Sequence, residues 1–213
     1  MDQMSELLAS ADQLLWNGED EAARELYEQA TKGADPGLKS ENAPLIKAYL
    51  GLGISLTNLD RYAEAEHALR RAIFLLPDGM TRIAITRAHA ILHAKQRSIS
   101  VAMTDLNAAV QMVPERCFAE RGITFSTLGL VVLNDGRLLE ALYYYGAADA
   151  LLQRGDNSGY ELENLLRFIR ALTLNGEDDF AHRLAERAAL LALDCGSTKK
   201  QAETAELISK LNQ

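Results

Sequence analysis

Aromatic residues make up only 6% of this 213-residue chain, and it holds four prolines and two cysteines. A composition so poor in rings and turn-forming proline argues for helices and against a β sandwich. Cys117 and Cys195 lie far apart without metal-ligand spacing, which excludes a disulfide framework and suggests a reducing, cytoplasmic setting. Long apolar runs are missing too. The longest, such as Ile73–Leu76 and Leu130–Leu133, are far too short to span a bilayer, so no membrane insertion is expected. The first ten residues carry Asp2 and Glu6 and no basic residue ahead of an apolar run, so no secretory signal is expected. Positive charge is also scarce: the formal net charge is −8, which disfavours a nucleic-acid partner.

What the chain does have is a spacing. Ala23, Ala65, Ala102, Ala141 and Ala181 are each followed seven positions later by alanine, at Ala30, Ala72, Ala109, Ala148 and Ala188. Tyr27, Leu69, Leu106, Tyr145 and Ala185 stand midway. Successive first alanines are 42, 37, 39 and 40 residues apart. Two helices pack closely only where the contact residue is small, so the pattern predicts five copies of one helical hairpin. The turns agree. Asn17-Gly18-Glu19-Asp20 recurs as Asn175-Gly176-Glu177-Asp178, and Asp135-Gly136 holds the same place. Glycine ends a helix in the left-handed region without steric penalty, and the acidic pair suits the next helix's first turn. Asp60 and Arg97 stand at this place in the second and third copies, so those turns are expected to be less regular. Pro77 and Pro114 stop their helices.

First helices are predicted near 2–17, 43–59, 80–95, 117–134 and 158–174, with partners near 19–33, 61–76, 98–113, 137–153 and 177–193. A last helix near 198–212 reads as a cap, with Ala202, Ala205, Leu207, Ile208 and Leu211 as its apolar face and Lys199, Lys200, Glu203, Glu206 and Lys210 as its wet face. Gly33 to Asn42 and Arg154 to Gly159 read as flexible connectors, too short to separate domains. One continuous domain over 1–213 is expected.

The second copy reads Tyr49-x-x-Leu52-Gly53-x-x-Leu56, then Tyr62, Ala65, Leu69, Ala72 and Pro77. It resembles the tetratricopeptide repeat (TPR). The resemblance implies an all-α right-handed superhelix of repeats near 4–37, 46–79, 83–116, 122–155 and 162–195, whose first helices line a concave groove. Carried over, the partner-binding positions are Leu8 and Asp12; Lys47, Leu50 and Ile54; Arg87, Ile91 and Lys95; Ser126, Leu130 and Asn134; and Leu166 and Arg170. With Glu163, which belongs to the same set, four basic residues (Lys47, Arg87, Lys95 and Arg170) stand against two acidic ones (Asp12 and Glu163), so the set is net positive. An apolar line with basic groups beside it would suit an amphipathic, partly acidic protein or peptide segment. The implied function is a non-enzymatic adaptor or chaperone, similar to the chaperones of bacterial secretion translocators. The carboxylate clamp of heat-shock co-chaperones is not expected, because Leu8, Asp12 and Gly51 stand where it needs Lys, Asn and Asn. An alternative is a self-assembling scaffold, in which Tyr143, Tyr144 or an uncapped terminal hairpin makes a homodimer.

His89 and His93 share a helix face four residues apart. No glutamate follows His89 and no third ligand is visible nearby, so the expectation is a structural pair with no metal or cofactor; a metal-dependent enzyme using both is the remote alternative. Gly51-x-Gly53 is no dinucleotide fingerprint, and no Walker sequence or nucleophile elbow occurs. Arg70-Arg71 and the Arg82/Arg87 pair lack interleaved aromatics and read as solvated helix surface.

Overall fold

A computed structural model describes residues 3–32, 42–155 and 157–211. Eleven helices and no strand occur among them: α1 (Gln3–Trp16), α2 (Asp20–Lys32), α3 (Asn42–Asn58), α4 (Tyr62–Phe74), α5 (Gly79–Lys95), α6 (Ile99–Met112), α7 (Phe118–Asn134), α8 (Leu138–Leu152), α9 (Ser158–Leu174), α10 (Asp178–Asp194) and α11 (Thr198–Leu211). The described ends fall within two residues of the predicted ones. Predicted ends at Asp2, Gly33 and Asn212, the 33–41 part of the first connector, and Asp156 lie outside the described residues.

The spacing of small residues is the spacing of contacts. Ala23, Ala65, Ala102, Ala141 and Ala181 are each 0% exposed, and their partners seven residues on are at most 1% exposed. The midway residues, from Tyr27 to Ala185, are at most 3% exposed. In the second hairpin a methyl on Gly53 would lie 2.5 Å from Leu69 Cδ2, and in the fourth a methyl on Gly129 would lie 2.7 Å from Tyr145 Cε1. Large midway side chains therefore sit directly on the facing helix backbone.

All five intra-hairpin turns have one geometry. Gly18, Asp60, Arg97, Gly136 and Gly176 have φ of 71°, 59°, 62°, 79° and 77°. In each, the next residue's N–H donates back to a carbonyl five residues earlier: Glu19 to Leu14 at 2.9 Å, Arg61 to Leu56 at 2.9 Å, Ser98 to His93 at 2.8 Å, Arg137 to Val132 at 3.0 Å and Glu177 to Leu172 at 3.0 Å. These bonds, with those made by the left-handed residue itself, form Schellman motifs that satisfy orphan carbonyls. The expected irregularity at Asp60 and Arg97 is thus corrected: hydrogen bonding imposes the geometry whatever residue is there. A non-glycine residue in that region is strained. Arg97→Gly is expected to stabilise the chain by about 1 kcal/mol, less the extra chain freedom glycine adds to the unfolded state. A higher urea midpoint at unchanged slope checks it.

The chain falls into two compact units, Met1–Asp105 and Leu106–Gln213, with the boundary inside α6. In the first unit α1 packs on α2 and α3, α3 on α2, α4 and α5, and α4 on α5. Its core gathers Leu8, Tyr27, Ile46, Leu52, Leu69, Ile85 and Leu92 among others. In the second unit α7 packs on α8 and α9, α8 on α9, α10 on α9, and α11 on α9 and α10. Fully buried there are Leu128, Tyr145, Leu152, Leu162 and Leu165.

The cap turns a different face inward than expected. Ala202 and Ala205 are exposed, while Thr204 is buried and Lys200, Glu203, Leu207, Ile208 and Leu211 are half-buried. The Thr204 hydroxyl donates to the Lys200 carbonyl at 2.7 Å, which lets a polar residue sit at the contact. The second connector is anchored: the Arg154 guanidinium stacks 3.9 Å from the Phe118 ring centroid.

Candidate interaction surface

In the first unit the first helices lie side by side, α1 on α3 and α3 on α5. Lys47, Leu50 and Ile54 recur on one face of α3, and Arg87, Ile91 and Lys95 on one face of α5. Leu50, Ile54 and Ile91 are half-buried, and Leu50 and Ile54 rest on the core. Lys47 and Lys95 are exposed. Leu8, at 4% exposure, is a core residue, and Arg87, at 8%, is also withdrawn. These two positions of the carried-over set offer almost no surface to a partner.

The basic residues are not free. Lys47 Nζ pairs with Asp12 at 2.5 Å, and Lys95 Nζ pairs with Asp60 at 2.9 Å. Asp12 also accepts the Tyr27 hydroxyl at 2.7 Å. Burial, and then that bond, hold the Tyr27 phenol well above its ordinary range. The Lys95 hydrogen bond, then that of Tyr62, holds the Asp60 carboxyl below its usual range. Both lysines of the first-unit set are thus paired with carboxylates. Asp60, a turn residue, contributes a carboxylate that the resemblance did not place there.

In the second unit Ser126 is 4% exposed and accepts from Arg167 at 3.1 Å. Leu130 is half-buried and Asn134 exposed. Leu166, at 1% exposure, is core. Arg170 pairs with Glu203 of α11 at 2.7 Å, and Glu163 pairs with Arg167 at 2.5 Å. Burial works to raise the Glu203 carboxyl, but Arg170 and Lys200 outweigh it and leave it lowered. The capping helix thus ties down Arg170, a position on α9 that the resemblance assigned to a partner. Glu163 and Arg167 are four apart on one helix, so their pairing was readable from spacing; the reach of Glu203 was not.

Gly51, which stands where a carboxylate clamp needs asparagine, lies against Tyr27. The Tyr27 ring packs against its backbone, and a Cβ there would lie 2.2 Å from Tyr27 Cζ. Asparagine cannot occupy that position in this packing. A cleft of about 290 Å³ lies elsewhere, between α2, α3 and α4, lined by Glu28, Tyr49, Leu52, Glu64 and His67.

His89 and His93 are not isolated from further ligands. Glu66 of α4 brings Oε2 to 3.4 Å from His89 Nδ1, and Asp105 of α6 brings Oδ2 to 3.0 Å from His93 Nδ1. The expectation that no third ligand lies nearby is corrected, because Glu66 is on a different helix and invisible to local spacing. Burial, despite Glu66, keeps His89 below the ordinary imidazole range.

No helix among the described residues is long and apolar enough to cross a membrane. Neither a protein-family model nor a curated protein matches the sequence. Solved structures do match in shape. A Podospora anserina putative kinesin light chain with nearly identical TPR-like repeats is 18% identical, with a TM-score of 0.57 over 92% of this chain and 98% of that one. BtubC (BKLC) from P. vanneervenii is 14% identical, with a TM-score of 0.64 over 99% of this chain and 84% of that one. PilF of Pseudomonas aeruginosa is 17% identical, with a TM-score of 0.56 over 98% and 88%. At such identities the likeness speaks to fold alone, and together with the recurring small residues and five equal turns it establishes that this chain has the all-α fold of tetratricopeptide-like helical repeats.

Proposed function

We propose that this chain is a non-enzymatic protein-interaction module, an adaptor or chaperone that holds a helical or extended partner segment against the first-helix face of its first unit. One observation carries the reading: Leu50, Ile54 and Ile91 are half-buried on α3 and α5, in register with the exposed lysines Lys47 and Lys95. Half-buried aliphatic side chains take apolar anchors, while lysines at the edge recognise acidic groups. An acidic side chain on the partner would compete with Asp12 and Asp60 for Lys47 and Lys95, so an amphipathic, partly acidic segment fits best. Two half-buried free cysteines suit a reducing compartment such as the cytoplasm.

Partner capture by the parent and by Ile54→Glu tests this, with circular dichroism as a check on folding. A folded Ile54→Glu chain is expected to lose a partner that the parent retains, with affinity down about tenfold or more. Leu130→Glu, tested separately, asks whether the second unit takes part. A folded Ile54→Glu chain that keeps every partner contradicts the reading.

A second reading, self-assembly, is favoured by Leu139 and Tyr143, one turn apart on α8 and 73% and 69% exposed. Tyr144, also named for this role, is half-buried, and its ring lies 6.0 Å from that of Phe125. Light scattering across a concentration series separates the two. A monomer throughout removes the scaffold.

A further inference from the structure

The His89 and His93 rings stand one turn apart on α5, centroids 5.9 Å apart and tilted by 37°. Glu66 joins them from α4. One candidate ligand atom from each of Glu66, His89 and His93 lies within 4.8 Å of the other two. Ligand atoms around a tetrahedral Zn(II) ion sit about 3.4 Å apart, so small rotations of half-buried side chains would close the set. We propose that Glu66, His89 and His93 bind one Zn(II) ion, with Asp105 orienting His93.

Two details support this beyond proximity. Asp105 Oδ2 lies 3.0 Å from His93 Nδ1. A carboxylate only accepts, so Nδ1 carries the hydrogen and Nε2 keeps its lone pair for a metal. That is the carboxylate–histidine arrangement that commonly orients zinc ligands. Arg70 Nε donates to Glu66 Oε1 at 2.6 Å, which fixes the carboxylate and leaves Oε2 facing His89. The charged groups facing the cluster are Glu66, Asp105 and Arg70, a net of −1 that a divalent ion turns to +1. Imidazole and carboxylate donors suit zinc, and three protein ligands leave a fourth position for water. The ion would clip α4 to α5, joining the second hairpin to the third, so its binding would add to folding stability.

Untagged full-length protein, stripped with chelator, is titrated with zinc sulfate by calorimetry and by thermal melting. One ion per chain is expected, with a rise in Tm. His89→Gln and His93→Gln are expected to abolish that rise and weaken binding about tenfold or more, and Asp105→Asn to weaken it about 10–100-fold. His67→Gln changes an exposed histidine beside Glu66 and is expected to leave binding as in the parent. No binding to the folded parent, or equal binding by His89→Gln and His93→Gln, overturns the proposal. Should the glutamine variants fail to fold, Co(II) added to the parent decides. Intense visible bands of a tetrahedral site support it, and the spectrum of the hydrated ion overturns it.

Discussion

Replacing Arg187 with methionine is expected to destabilise the second unit by about 3 kcal/mol. Arg187, on α10, reaches two carboxylates on two other helices. It pairs with Asp149 Oδ1 of α8, and its Nε lies 3.2 Å from Glu161 Oε1 of α9. The second contact is close enough for attraction but misaligned for a hydrogen bond. The two acidic side chains are only 12% and 14% exposed. Methionine keeps most of the volume and removes the charge, so both carboxylates are left desolvated without a cation. Gln153 still donates to Asp149 Oδ2 at 2.8 Å, which softens the loss at one of them. Arg187 itself is 31% exposed, which keeps the expected cost at the low end for buried pairs.

The pH dependence carries the diagnosis. Burial raises the Glu161 carboxyl even with Arg187 present, and Asp149 adds to the rise. Without Arg187 it rises further. A carboxyl raised in the folded state above its unfolded value binds its proton more tightly when folded, so it adds stability below the unfolded pKa and that contribution is lost as pH rises through the folded one. The penalty of Arg187→Met is therefore expected to be largest near pH 7 and to shrink towards pH 5. Urea unfolding at both values measures this. A penalty that does not change with pH would assign the loss to packing instead.

Gly51→Ala is expected to cost about 3 kcal/mol in the first unit. The added methyl would enter the space of the Tyr27 ring. That ring is 1% exposed and cannot swing aside freely, because its hydroxyl donates to Asp12 at 2.7 Å and Asp12 is held by Lys47. Either the ring moves and the hydrogen bond breaks, or α2 and α3 separate. Gly146→Ala is the matched control. Its methyl would meet Phe168 Cζ at 3.6 Å, an ordinary contact, so improved helix propensity should stabilise by about 0.5–1 kcal/mol. The two substitutions are the same change in helices of the same fold, with opposite expected signs. Adding Tyr27→Ala to Gly51→Ala should cost less than the two penalties summed, since both act on one contact.

The hairpins were legible because their cause is local and periodic. A small residue every seven positions is a constraint on how near two backbones come, and the left-handed turn residue is a constraint on one φ. Both are written at single positions. The turns at Asp60 and Arg97 show the limit: the hydrogen bonds recur without the glycine that advertises them elsewhere. The proposed interaction surface was legible only in part. Leu50, Ile54 and Ile91 follow from helix periodicity. Leu8 and Leu166 are periodic in the same way, yet they are buried, because exposure depends on neighbouring helices that no local spacing reports. Asp60 and Glu203 reach their partners across 35 and 33 residues of chain. The third member of the histidine cluster, Glu66, is likewise supplied by a separate helix. On α11, the stripe Lys200, Thr204, Leu207, Ile208 and Leu211 has better helical spacing than one through Ala202 and Ala205. Its polar members concealed it.

Urea unfolding of Ala65→Leu beside Ala63→Leu asks most directly whether small residues set where these helices meet. The two alanines are two apart on α4; Ala65 is 0% exposed and Ala63 faces water. Ala65→Leu should lose about 1–3 kcal/mol, while Ala63→Leu should change by less than about 0.5 kcal/mol. Equal effects, or a larger loss at Ala63, would contradict the register on which the hairpins and their first-helix face depend.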